Sequence, residues 1–186
     1  MHVPGLLAQT NASDEAPRIL VVEPNRSYLG LLARRLGEAD FRVSTAASAQ
    51  SAMAELHRMP ADLILAELRL KGTTGVELVR MVREEPVHRD IPVMLITGRS
   101  EPTAPVRAYA AGADDVILKP FHFEVLIARI FRRLERASAL KALRHDNAAL
   151  DARVVTRAIE LGELRERWMR SEAERRRLQA LVRHAA

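Results

Sequence analysis

The chain has 186 residues, a formal net charge of +5 and no cysteine. That length holds one domain with a real core plus an extension, and the missing cysteines exclude disulfides and thiolate metal sites. No apolar run approaches the roughly 20 residues of a membrane helix, and the N-terminus lacks the basic-then-apolar order of a signal peptide, so the expected location is the cytoplasm and no membrane partner is expected.

Residues 1–16 (MHVPGLLAQTNASDEA) are small, polar and aperiodic and read as a disordered leader. From residue 18 to 120 two signals alternate. Short β-rich runs lie at 18–22, 41–45, 62–66, 92–96 and 115–118. Helical patterns lie between them, at 26–37, 48–58 (opened by the N-cap candidate Ser48), 74–84 and about 103–111. Strand–helix alternation with short joints implies an α/β fold, a parallel sheet with helices on both faces. Right-handed crossovers leave few topologies. A flavodoxin-like, doubly wound five-stranded sheet of order 2-1-3-4-5 puts the first and third strands at the switch point, where ligands bind.

Four polar residues follow four of the apolar runs: Glu23, Glu67, Thr97 and Lys119. Each alone reads as a solvated strand end. Four such exits on the C-terminal edge of one parallel sheet point to a single pocket. It would gather two carboxylates, a hydroxyl and an ammonium.

This half, about residues 17–128, resembles the receiver domain of bacterial two-component response regulators. The resemblance rests on RILVVEPNR, ADLILAELRLKGTTGVEL, IPVMLITG and AGADDVILKPF, in that order. It implies an acidic pair after the first strand that holds Mg²⁺, and an Asp after the third strand that takes a phosphoryl group from a histidine kinase. It also implies a Thr or Ser and a Lys, after the fourth and fifth strands, that bind phosphoryl oxygens. Lys119-Pro120 matches the family's Lys-Pro step, usually a cis peptide.

The departures from the family pattern carry the functional expectation. Glu67 stands at the acceptor position in place of Asp, and the acidic pair reads Glu23-Pro24. Pro24 offers no carboxylate, whereas Mg²⁺ demands near-ideal octahedral oxygen geometry. No metal or other cofactor is therefore expected, with Mg²⁺ binding weak at best. The extra methylene of Glu67 moves the nucleophilic oxygen, and a displacement of about 1 Å can cost on the order of 100-fold in rate. Val116 replaces the aromatic that many receivers carry there. The chain is expected to be a pseudo-receiver and not an enzyme. Glu67 acts as a built-in anion directed at Lys119 and Thr97, or else persists as a structural salt bridge to Lys119. A working phosphoacceptor at Glu67 or Asp62 is the competing reading, but Asp62 belongs at the far end of its strand.

After Pro120 there is no proline and one glycine, Gly162. Residues 1–128 hold 14 Lys/Arg and 16 Asp/Glu, net −2, and residues 129–186 hold 15 and 8, net +7. From Phe121 to about 183 one helix is expected, about 90 Å long at 1.5 Å per residue. Residues 129–186 read as a coiled-coil extension. One set of core positions runs Asn147, Val154, Leu161, Trp168, Arg175, Val182, and the other Leu143, Leu150, Arg157, Leu164, Ser171, Leu178. Ile127, Ile130, Leu134 and Ala137 fit another frame, with a phase slip near 137–143. Asn147 and the basic core positions favour two strands, hence a parallel homodimer that relays a signal to a partner or output domain.

Arg132-Arg133 and Arg175-Arg176-Arg177 raise nucleic-acid binding, but Glu is mixed with Arg along the whole helix, as on a solvated face. His145-Asp146 only faintly resembles a kinase phosphoacceptor. The stretch LDARVVTRAIELGELRERW resembles the linker after receivers in cyclic-di-GMP phosphodiesterase or cyclase regulators, so the chain can equally be a fragment of a longer regulator.

Overall fold

The computed structural model describes residues 16–98 and 102–184, with side chains as far as 177. The expected leader, apart from Ala16, lies outside the described residues, as do the side chains of Leu178 and Val182. The elements in order are β1 (Arg18–Val22), α1 (Arg26–Gly37), β2 (Arg42–Ala46), α2 (Ala49–Arg58), β3 (Leu63–Glu67), α3 (Gly75–Glu84), β4 (Val93–Thr97), α4 (Ala104–Ala110), β5 (Asp115–Leu118) and α5 (Phe123–His184). The sheet is parallel throughout, in the order β2-β1-β3-β4-β5. This is the expected doubly wound, flavodoxin-like fold.

Side chains alternate across a strand, so each apolar run feeds two cores. Leu20, Val22, Ile64, Ala66, Val93 and Leu95 pack with residues of α2, α3 and α4 on one face. Ile19, Val21, Leu63, Leu65, Met94 and Ile96 pack with residues of α1 and α5 on the other. Runs without polar breaks are therefore what a sheet covered on both sides requires.

β2, β3 and β4 begin and end one residue later than the apolar runs suggest. Glu67 and Thr97 are consequently the last residues of their strands, not the first beyond them. The ladder continues while partners last: Leu68 N donates to Ile96 O and Lys119 N to Thr97 O. α5 begins at Phe123, not Phe121, because His122 O accepts the first helical bonds, from Val125 N and Leu126 N.

The boundary expected at 128/129 falls inside packed helix. Leu126 and Ile130 are buried, and Ile127, Phe131 and Leu134 lie against the same core. The chain divides into two compact units between Ser138 and Ala139. Within the second unit, every residue from Ala139 to Arg177 except Glu172 is exposed. Among the described residues no helix is long and apolar enough to cross a membrane.

Candidate functional site

The switch point between β1 and β3 brings two carboxylates together. Glu23 follows β1, where its N–H still bonds to Ala46 O of β2 at 3.0 Å. Its side chain is only 5% exposed. Oε1 accepts from Asn25 N at 2.9 Å, while Oε2 has no hydrogen-bond partner. Pro24 separates Glu23 from Asn25, whose side chain caps α1 by accepting from Tyr28 N. The turn that places Glu23 is thus fixed by the helix start that follows it.

Glu67 closes β3. Oε1 accepts from Arg69 N at 3.3 Å, and Oε2 accepts from Lys119 Nζ at 2.5 Å. Lys119 reaches across from the end of β5, next to the cis Lys119–Pro120 bond. Its Nζ lies 3.7 Å from Glu23 Oε2 and 4.0 Å above the Tyr28 ring centroid. One ammonium therefore faces two carboxylates and an aromatic face, contributed by β1, β3, β5 and α1. The Glu67 and Lys119 side chains are 13% and 32% exposed, so the pair is half sheltered from water. A charge-assisted bond in such a place is stronger than a neutral one, and the ring adds cation–π attraction.

Burial pushes the Tyr28 phenol above its ordinary pKa. The Lys119 charge opposes that shift, and Glu23 and Glu67 reinforce it.

Thr97 is placed at the same edge but takes no side-chain part in this cluster. It is buried, and its hydroxyl makes a long 3.4 Å bond to Gly98 O. Thr97 meets Lys119 through the backbone, its carbonyl accepting from Lys119 N at 2.7 Å. The expectation that Glu67 also reaches Thr97 is corrected: the ammonium takes the carboxylate. Asp62 lies at the other end of β3, its Oδ2 bonded to Arg18 N at 2.7 Å.

The donor set does not fit Mg²⁺, the ion that the receiver resemblance implies. Pro24 supplies no carboxylate in place of the second acid, and an ammonium already stands against the two carboxylates. Among the described residues no group of three or more His, Asp or Glu side chains is arranged to hold a metal ion.

Sequence reading missed a second buried acid, Asp115, at the start of β5. Its Oδ1 accepts from Val116 N at 2.9 Å and from Arg129 Nη1 at 3.2 Å, and Tyr109 Oη stands 3.4 Å away. Arg133 Nη2 is 3.5 Å from Oδ2. Two arginines four apart in the helix that follows were the available signal. The residues expected at coiled-coil core positions, Leu143, Leu150, Val154, Leu161, Leu164 and Trp168, are each more than half exposed, and Asn147 is exposed too.

Comparison with known proteins agrees with this architecture. The chain is 36% identical over 121 residues to the phosphate regulon transcriptional regulatory protein PhoB of Rhizobium meliloti (strain 1021), covering 65% of this chain and 53% of that one. It is 32% identical over 161 residues to the transcriptional regulatory protein TrcR of Mycobacterium tuberculosis, covering 82% and 62%. The chain spans about half the length of the curated relatives it matches. Among solved structures, the signal receiver domain of a signal transduction histidine kinase from Syntrophus aciditrophicus superposes with a TM-score of 0.61 at 32% identity, covering 64% of this chain and 91% of that one. With residues 19–131 matching the response regulator receiver domain, the chain belongs to that family of two-component signalling modules.

Proposed function

We propose that this receiver works without ordinary phosphoryl transfer: Glu67 supplies the negative charge that a phosphorylated acceptor would otherwise supply, and Lys119 reads it directly. The observation that carries this reading is the 2.5 Å bond from Lys119 Nζ to Glu67 Oε2. The carboxylate that would have to attack a phosphoryl donor is already engaged by the lysine that would have to bind it. Glu23 has no acidic neighbour in Pro24, so charge on an incoming donor finds little to offset it. The signal then enters through a partner such as a histidine kinase, or through the set of the Glu67–Lys119 pair, rather than through a phosphate.

The extension from Ala139 is proposed as a parallel, in-register coiled-coil homodimer. Its apolar positions recur at heptad spacing and are exposed among the described residues. Two flanking pairs favour a parallel arrangement, Glu160 with Arg165 of the second copy and Arg167 with Glu172, against one like-charge pair, Asp146 with Asp151. The output is a change in rotation or register of this coil, delivered to a partner.

The test uses the full chain with acetyl phosphate and Mg²⁺, read by intact mass. The chain is expected to stay unmodified. A stoichiometric, Mg²⁺-dependent adduct on Glu67 refutes the pseudo-receiver. Sedimentation as a monomer at tens of micromolar refutes the coiled coil.

A second reading rests on the relatives named as transcriptional regulatory proteins, in which much of the length lies outside the match. There the chain is the receiver part of a longer regulator that binds DNA. Steeply salt-dependent duplex binding by the longer protein would favour it.

A further inference from the structure

The second unit carries another apolar line besides the Leu143–Trp168 seam. Ala148, Ala152, Val155, Ile159, Gly162 and Met169 follow steps of four and three, broken only by Glu166. At 3.6 residues per turn this line lies about 150° round the helix from the seam. A dimer closed through the seam leaves it facing water. Val155, Ile159 and Met169 are each more than half exposed.

Gly162 lies on this line. A glycine inside a helix costs about 1 kcal/mol relative to alanine. A Cβ at Gly162 would meet nothing within 4 Å, and its backbone is not left-handed. Among the described residues nothing stands where its Cβ would be. A glycine in such a place leaves room for another backbone to come close.

The flanking charges select the visitor. If a second copy runs antiparallel, centred near residue 157, Ala152 stands opposite Gly162 and Val155 opposite Ile159, each pair formed twice by symmetry. Asp151 then stands beside Arg165 of the second copy, also twice. A parallel in-register copy would instead set Arg165 beside Arg170, like against like. The same arrangement relieves one clash in the parallel seam dimer, where Asp151 faces Asp146 of its partner.

We propose that this line binds another copy of the same helix in antiparallel orientation, so that two dimers associate through it into a tetramer. The line stands on its own residues; the tetrameric count rests on the seam dimer proposed above.

The test is sedimentation of the full chain at tens of micromolar, as wild type and as Ile159→Glu, Asp151→Arg and Leu161→Glu. Wild type is expected as a tetramer. Ile159→Glu and Asp151→Arg are expected to give dimers. Asp151→Arg keeps the seam, since an arginine there meets Asp146 favourably. A wild-type dimer dissociated by Leu161→Glu and untouched by Ile159→Glu overturns this proposal and leaves the seam dimer standing. A wild-type dimer dissociated by Ile159→Glu alone keeps the antiparallel line and removes the seam. A monomer removes both.

The absence of cysteine permits a direct check of orientation. Ala152→Cys and Gly162→Cys chains, co-expressed and oxidised with copper phenanthroline, should cross-link to each other. Cross-links only between like chains would overturn the antiparallel orientation.

Discussion

The two units of this chain use the same apolar residue types in opposite ways. In the receiver, leucine, isoleucine and valine alternate across strands, and their partners lie within the same chain on both faces of the sheet. In the extension they recur at helical spacing and lie open to water. The first pattern is satisfied by folding. The second is what the association proposed above would satisfy, since a lone helix has no second surface to offer. Polar contacts differ in part: in the receiver some join distant elements, as Glu67 joins Lys119, while among the described residues of the extension the ion pairs run along one helix, as Glu166 pairs with Arg170.

The largest effect that sharpens this contrast is a matched pair of truncations. Leu65 is fully buried between β1, β4 and the α1–α5 core. Leu65→Ala should cost about 2–5 kcal/mol of receiver stability, read by denaturant unfolding at any protein concentration. Leu161→Ala should leave the receiver transition unmoved and instead raise the concentration at which the chain associates. If Leu161→Ala lowers the receiver midpoint as much as Leu65→Ala does, the extension has a partner inside its own chain and the contrast fails.

A middle-sized effect belongs to the site. Lys119→Met strands the Glu67 carboxylate and leaves the already unpartnered Glu23 Oε2 without a nearby cation. An unpaired charge in a sheltered place should cost about 1–3 kcal/mol, with the lysine's own exposure holding it to that range. Adding Glu67→Gln should recover part of the loss. A double variant no more stable than Lys119→Met would mean that the pair does not couple these strands.

The sheet was legible in the sequence because unbroken apolar runs, turn residues and capping residues agreed at each joint. The convergence of Glu23, Glu67 and Lys119 was legible because strand ends on one edge of a parallel sheet have only one place to go. What the sequence left out depends on direction and distance. The hydroxyl of Thr97 turns to Gly98 instead of joining the cluster. The Tyr28 ring under Lys119 comes from a helix whose spacing shows only a half-buried residue. Gly75 is also silent in the sequence, yet a Cβ there would meet Glu67 O at 2.7 Å, so its smallness lets α3 begin directly behind the acceptor strand. The packed part of α5 runs on to Leu134, in the spacing that Ile127, Ile130 and Leu134 share before the frame changes.

The smallest effect tests how the receiver ends its helices, something the extension does not show. Glu77 Oε2 accepts from Thr73 Oγ1 at 2.5 Å, from Thr74 N at 2.8 Å and from Thr74 Oγ1 at 3.2 Å, while Thr74 Oγ1 accepts from Glu77 N. This reciprocal box fixes the start of α3. The Thr73 hydroxyl first, then the Thr74 groups, hold the Glu77 carboxyl below its ordinary pKa. A carboxyl whose pKa is depressed by folding adds stability above its unfolded pKa and loses it as pH falls through the folded one. Thr74→Ala should therefore cost about 1 kcal/mol at neutral pH, and Glu77→Gln should also destabilise there. The Glu77→Gln deficit should close as the pH drops below the carboxylate range, since wild type then carries a neutral acid in the same place. Thermal unfolding of the two proteins across that range measures it. A deficit that stays constant down to acid pH would assign the box to shape alone, without a part for the charge.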